Sequence, residues 1–150
     1  MDRIPTESIH LTVPASSAAV RIARAGAAGL ATRAGFTYHE VEQLRLAVGE
    51  AAALLAPDPE GDGTLSLTFA VEPDALHVDL YLAEVGSGRA ATAALTTATP
   101  GAGGVPGGRA AVPSIAAAVL DAAVDSWQVT EDGRRLVLDK RAAAGDEDDD

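Results

Sequence analysis

The sequence contains no cysteine, few aromatic residues and only a minority of basic residues. Without cysteine, a disulfide scaffold, a thiolate metal site and a cysteine nucleophile are all excluded. Acidic residues outnumber basic residues 22 to 11, and the formal net charge is −11. The chain remains acidic even without its last residues, Asp146 to Asp150. Because an acidic surface repels phosphate backbones, we expect no nucleic-acid partner.

Long apolar runs are also missing from the sequence. Gly, Arg or Pro interrupts each apolar stretch well short of the roughly 18 residues that a membrane span needs. The first residues do not have the basic start and apolar stretch of a signal peptide. We therefore expect a cytoplasmic protein with no membrane partner. With 150 residues, 47% of them hydrophobic, the chain can form one domain with a substantial core.

The hydrophobic pattern predicts the element order strand, two helices, two strands, helix, two strands. The clearest local signal is a capping box, Thr37-x-x-Glu40, which predicts the start of the second helix. This order is typical of an α+β fold, a two-layer sandwich with helices on one face of a mixed, mainly antiparallel sheet. We predict a folded domain over residues 1–141 and a disordered acidic tail over residues 142–150. The predicted strands are 8–13, 64–71, 75–83, 127–131 and 134–140, and the helices end at Gly35, before Pro57 and near Val124.

Glu50 is the first candidate functional residue. Its neighbours one helical turn away, Leu46, Ala47, Ala53 and Leu54, are all apolar, so the second helix carries one carboxylate on an apolar face. Because burying a carboxylate alone is costly, Glu50 needs a partner, a ligand or the mouth of a groove. The alternative is that Glu50 lies at the boundary of this face and points to water.

Two glycine-rich segments could also approach a ligand. Glu84-Val-Gly-Ser-Gly88 follows a predicted strand, and its glycines would let the backbone approach a flat ligand while the carboxylate accepts a hydrogen bond. Residues 101–108 precede the third helix, where backbone N–H groups can hold phosphates. Each segment is equally typical of an ordinary turn or a flexible loop. The histidines His10, His39 and His77 show no metal-ligand spacing, and no Ser, Asp and His arrangement indicates a nucleophilic triad.

Taken in order, these motifs resemble the anti-sigma regulatory factors, the small serine-kinase branch of the histidine-kinase-like ATPases. The resemblance covers residues 8–141 and is closest to actinobacterial members with a reduced nucleotide site. It rests on Leu44-Arg-Leu-Ala-Val-Gly-Glu50-Ala, the acid-x-Gly-x-Gly strand end, the glycine loop, Asp125-Ser-Trp-Gln-Val and Leu136-Val-Leu-Asp-Lys140. It implies the Bergerat type of two-layer fold and a nucleotide site that includes Glu50, Glu84, Gly86, Gly88, Gly103 and Gly104.

Two departures from the family pattern bear on nucleotide chemistry. The family's nucleotide helix carries a Glu and, four residues later, an Asn that coordinates magnesium. Here these positions are Glu50 and Leu54, and Leu54 has no oxygen to offer a hard cation. The family's adenine-binding Asp is replaced by Glu84, which is one methylene longer. The resemblance therefore implies a vestigial catalytic Glu50, at most weak binding of ATP or ADP, and no bound magnesium.

The resemblance implies a regulator that works by binding other proteins. In the family, the first helix and nearby surface of a homodimer hold a sigma factor away from RNA polymerase. An anti-anti-sigma protein of the STAS type competes in this partner switching. Counted back from Glu50, the family's sigma-contacting arginine falls at Arg24, with Arg21 one turn earlier. The alternative for both arginines is an ordinary solvated helix face.

Two other functions stay open at this point. One is an active ATP-dependent serine kinase that phosphorylates an anti-anti-sigma protein, so whether the chain is an enzyme is not decided. It requires magnesium held at the phosphates, which Leu54 disfavours. The other is a structural adaptor that has never bound nucleotide, in which case Glu50 and the Glu84-x-Gly-x-Gly pattern coincide by chance.

Overall fold

The predicted element order is confirmed. The structure is a computed structural model. It describes residues 7–56, 62–84, 112–130 and 132–143, except for the side chains of Ser17, Ala18 and Glu84. Within these ranges, no helix is both long and apolar enough to cross a membrane. The elements are β1 (Glu7–Pro14), α1 (Ser17–Arg33), α2 (Tyr38–Leu55), β2 (Gly63–Glu72), β3 (Ala75–Glu84), α3 (Ser114–Ala123), β4 (Ser126–Val129) and β5 (Arg135–Arg141).

The strands form one sheet in the order β1-β2-β3-β5-β4. Each pair of neighbouring strands among the described residues is antiparallel, so the expectation of a mixed sheet is wrong in this detail. The reason is the position of β5. Helix α3 connects β3 to β4, which run in the same direction, but β5 is inserted between them and pairs with both in the opposite direction.

The helices cover one face of the sheet, as the predicted two-layer sandwich requires. Alternate strand residues point into one hydrophobic cluster together with the buried residues of the helices, while the residues between them are more exposed. This alternation follows from the two-residue period of a strand with one solvated face. The fully buried large side chains of the sheet are Leu65, Leu67, Phe69, Leu76, Val78, Leu80, Leu136 and Leu138.

Local signals fix the turns and the start of α2. The Thr37 side chain accepts a hydrogen bond from the backbone N–H of Glu40 at 3.2 Å, and Glu40 accepts one from that of Thr37 at 2.8 Å, which confirms the capping box. Gly35 has a φ of +93° after α1, and Gly133 has a φ of +70° in the hairpin between β4 and β5. Such angles strain residues with a Cβ, so glycine suits both positions.

The folded part of the chain extends beyond the predicted boundary at residue 141. The backbone N–H of Ala142 donates to the carbonyl of Asp74 at 2.8 Å, and that of Ala143 donates to the Glu40 carboxylate at 2.6 Å. Ala142 also packs against the hydrophobic core. This contact was not predictable from the sequence, because two alanines carry neither charge nor pattern. Residues 144–150 of the predicted tail lie outside the described residues.

We predict different effects for two truncations of the C-terminus. Deleting residues 142–150 removes both hydrogen bonds and the Ala142 contact, so stability falls by about 1–3 kcal/mol and the melting temperature by several degrees. Deleting residues 144–150 removes only small and acidic residues and leaves the melting temperature unchanged. Thermal unfolding followed by circular dichroism measures both, and equal melting temperatures would contradict the assigned boundary.

We also predict that Glu40→Gln destabilises the fold in a pH-dependent way. Burial raises the pKa of Glu40, but hydrogen bonds from the Ala143 and Thr37 backbones and the Thr37 hydroxyl, with nearby Lys140, lower it overall. A carboxylate with a lowered pKa stabilises the fold above its unfolded pKa, about 4.3, and loses this effect as the pH falls through the folded pKa. In urea titrations, the variant should lose about 1–3 kcal/mol near neutral pH, and the difference should shrink below about pH 4.

The matched control for this prediction is Glu42→Gln. Glu42 lies on the same helix but is 41% exposed in an ion pair with Arg45. Exposed pairs of this kind contribute at most about 1 kcal/mol. A pH-independent loss in Glu40→Gln, or an equal loss in both variants, would show that the Glu40 charge does not stabilise the fold.

Candidate functional site

Glu50 lies near an open apolar groove between α2 and α3. Its side chain is half-buried, and Leu46, one turn earlier on α2, is 53% exposed. Leu46 faces Ile115, which is 79% exposed, across a groove of about 430 Å³. The remaining residues that line this groove are Gln43, Ala118, Val119, Ala122 and Ala123.

Gln43 of α2 and Ala123 of α3 lie close together in this groove. The Lys140 ammonium donates to the Gln43 side chain at 3.0 Å and to the Ala123 carbonyl at 2.8 Å. Glu50 follows Gln43 by about two helical turns, so the two side chains lie on the same side of α2. Glu50 itself is not one of the residues that line the groove.

Leu54 belongs to the core and not to a metal site. Its half-buried side chain packs against the hydrophobic cluster. It carries no oxygen, so the position four residues after Glu50 offers nothing to a hard cation. In the parts of the chain that the structure describes, no group of three or more His, Cys, Asp or Glu residues could hold a metal ion.

Of the two glycine-rich segments, only Glu84 lies within the described residues. Glu84 is the last residue of β3, and its backbone pairs with Gly63 of β2. Its side chain is not described, and Gly86, Gly88, Gly103 and Gly104 lie outside the described residues. The adenine-binding and phosphate-binding roles of these residues therefore stay predictions.

Arg21 and Arg24 are both exposed on α1, as a partner surface requires. Helix α1 packs against α2, and its fully buried residues are alanines, among them Ala23 and Ala27. Arg24 lies across α2 at Gly49. A Cβ built on Gly49 would come within 2.8 Å of both Cζ and Nη2 of Arg24, and closer still to Nε. Within the described part of the chain, Arg24 forms no ion pair with a carboxylate.

The contact between Gly49 and Arg24 was not predicted from the sequence. A signal was present, because a glycine inside a helix costs about 1 kcal/mol relative to alanine and therefore indicates a packing or functional reason. The identity of the contacting residue was not readable from the sequence, since it depends on how α1 and α2 cross. The structure thus places Arg24 against the residue next to Glu50.

The histidines are strand and surface residues, as predicted. His10 hydrogen bonds with the Thr68 hydroxyl at 3.0 Å, and His39 is exposed. His77 contacts Asp139, whose other oxygen accepts a hydrogen bond from Ser126 at 3.2 Å. In this cluster the aspartate lies between serine and histidine, so the histidine does not contact the serine hydroxyl and the arrangement is not a nucleophilic triad.

Comparison with known proteins identifies relatives for about half of the chain. No family model matches the chain. It is 34% identical over 73 residues to a serine-protein kinase RsbW of Halalkalibacterium halodurans, a match that covers 48% of this chain and 45% of the relative. For the serine-protein kinase RsbW of Bacillus subtilis the identity is 40% over 73 residues, which covers 47% of this chain and 46% of the relative.

A third relative, the serine-protein kinase RsbW of Oceanobacillus iheyensis, is 33% identical over 81 residues, 52% of this chain and 50% of the relative. The chain spans about half the length of the curated relatives it matches. These relatives confirm the resemblance to the serine-kinase branch of the anti-sigma regulatory factors.

We predict that restoring an asparagine at position 54 destabilises the protein. Leu54→Asn places an amide against the hydrophobic core without a partner for it, which costs about 1–3 kcal/mol. The matched control is Ala53→Asn, because Ala53 is the exposed neighbour on the same helix. Urea unfolding of both variants measures the difference, and an equally stable Leu54→Asn would show that the position is free of the core.

Proposed function

We propose that this chain, a relative of proteins named serine-protein kinase RsbW, is an anti-sigma regulator that acts by binding protein partners. In this proposal, a cytoplasmic homodimer sequesters a sigma factor at the surface of α1 and releases it when a STAS-type anti-anti-sigma protein competes. The observation that carries the proposal is the exposed residue Arg24, whose guanidinium lies on the α1–α2 contact and forms no ion pair within the described residues.

The chemistry of Arg24 fits an acidic partner surface. A guanidinium donates through a planar fork of N–H groups and binds carboxylates in pairs of parallel hydrogen bonds. Arg21, one turn earlier on α1, adds a second exposed cation on the same side of the helix. Since the chain as a whole is strongly acidic, two adjacent arginines form a local exception that attracts an acidic partner.

Weak or lost ATP binding is the second part of the proposal. Leu54 packs into the core where the family carries its magnesium ligand, which supports the absence of a fixed metal ion. Positioning and charge neutralisation provide most of phosphoryl-transfer catalysis, so losing this ligand should lower turnover by orders of magnitude. Glu84 could still accept a hydrogen bond from an adenine. The nucleotide binding that we expect is therefore weak binding of ATP or ADP without magnesium.

An active serine kinase is the alternative, and two observations favour keeping it. The curated relatives carry the name serine-protein kinase. In addition, Glu50 is only half-buried on α2, so its carboxylate could reach a nucleotide bound beside this helix. In that case Glu50 would assist proton movement at the attacked phosphate, as the family resemblance implies.

The partner proposal is tested by co-expressing the chain with each sigma factor encoded in the same genome and measuring affinity for any that binds. We predict that Arg24→Glu weakens this affinity by about thirtyfold or more, because a desolvated interface arginine contributes about 2 kcal/mol or more. The melting temperature should hardly change, since exposed charge reversals rarely cost more than about 0.5 kcal/mol. The control is Arg45→Glu, a reversal of an exposed arginine on α2. Equal affinity of Arg24→Glu and the wild type would place the interface elsewhere.

A second arm of this experiment separates the regulator from the kinase. Each STAS-type protein of the same genome is incubated with the chain, magnesium and labelled ATP, and phosphate transfer is measured beside a calorimetric titration with ATP and ADP. We expect no detectable transfer. Magnesium-dependent phosphorylation that Glu50→Ala abolishes would establish the kinase instead.

A further inference from the structure

We propose that Gly49 is a positioning residue for partner binding, because its missing side chain leaves the notch in which the guanidinium of Arg24 is held. This inference rests on the proposed function, in which Arg24 contacts an acidic partner surface. It assigns to α2 a part in partner recognition that does not involve nucleotide. The partner group that the notch prepares for is a carboxylate.

Size, and not backbone conformation, explains a glycine at this position. The glycines with a positive φ among the described residues are Gly35 and Gly133, so an alanine could adopt the helical backbone of Gly49 without strain. An alanine would also favour the helix. An alanine would, however, clash with the Arg24 side chain, because its Cβ would lie within 2.8 Å of Cζ and Nη2 of Arg24.

The other helical glycines of the described ranges do not hold a side chain in this way. A Cβ on Gly26 would make an ordinary contact of 3.6 Å with Leu11, and a Cβ on Gly29 would meet nothing within 4 Å. Both lie on α1, so the close approach at Gly49 is not a general property of glycine in these helices. Gly29→Ala is therefore a matched control, with the same chemical change and no atom displaced.

Holding the guanidinium in advance strengthens binding without adding a contact. A free arginine side chain has many rotamers, and fixing it at an interface opposes binding. An arginine whose guanidinium rests against the α2 backbone has lost part of that freedom before the partner arrives. Since Arg24 forms no ion pair within the described residues, its N–H groups remain available to the partner's carboxylate.

Gly49→Ala tests the inference without disturbing the fold. The atoms that must move are the end of a flexible side chain, so the melting temperature should stay the same or rise slightly, as in Gly29→Ala. The Nε–H signal of Arg24 in nuclear magnetic resonance, assigned by its loss in Arg24→Lys, should be distinct in the wild type and in Gly49→Ala shift toward the averaged position of free arginines. Affinity for the sigma factor bound by the wild type should fall about three- to tenfold in Gly49→Ala and not in Gly29→Ala.

A double variant shows whether Gly49 acts through Arg24. In the Arg24→Ala background, Gly49→Ala should cause no further loss of affinity, because the side chain that it displaces is absent. An additive loss, or an unchanged Arg24 signal in Gly49→Ala, would overturn the inference.

The failures of the two proposals are distinguishable. If Arg24→Ala weakens binding and Gly49→Ala does not, positioning by Gly49 is wrong and the proposed function stands. If Arg24→Ala binds like the wild type, or if no sigma factor binds the wild-type chain, the proposed function is wrong and the inference falls with it.

Discussion

A buried lysine fixes the positions of two helices over the sheet. Lys140 on β5 and Glu40 on α2 are the buried charged residues of the described chain, each only 7% exposed. A buried ammonium is tolerated only when its hydrogen bonds are satisfied, and Lys140 meets this demand with the Gln43 side chain and the last carbonyl of α3, at Ala123. Because both acceptors must lie within reach of one amine, the start of α2 and the end of α3 are fixed over β5.

The second organising feature is the small size of the buried residues of α1 and α2. Alanines such as Ala23, Ala27 and Ala51 are fully buried, and side chains of this size let packed helices approach closely. Close approach leaves little room for a long side chain on α1, except where α2 carries no Cβ. Arg24 uses that opening at Gly49, which is next to Glu50 along α2. Arg24, proposed for partner binding, therefore contacts the residue next to Glu50, proposed for nucleotide binding, although the two were identified in the sequence from separate patterns.

Features that depend on local chemistry could be predicted from the sequence. Features that depend on packing between distant segments could not. The Thr37 and Glu40 capping box and Gly35 each determine their own few residues, and both appear as predicted. The insertion of β5 between β3 and β4 depends instead on pairing between distant segments, such as Leu80 with Leu136, that no local pattern encodes. The same reason applies to the chain end, where Ala143 finds an acceptor on Glu40, and to Arg24, whose place depends on the crossing of two helices. Within the site, the missing metal ligand at position 54 could be predicted from the leucine side chain alone, because it carries no oxygen.

The environment of Leu54 connects stability with the proposed loss of nucleotide chemistry. The chain has two phenylalanines and one tryptophan, and much of its helix layer is alanine, so each larger aliphatic side chain contributes a substantial share of the buried apolar area. A leucine at position 54 adds such a side chain to the core at the place where the family pattern has a polar metal ligand. An asparagine could serve a metal only by turning its amide out of the core, and the packing would then lose the leucine without replacement. A protein that acts by binding partners through α1 has no need of that ligand, so the more stable core and the proposed function favour the same residue.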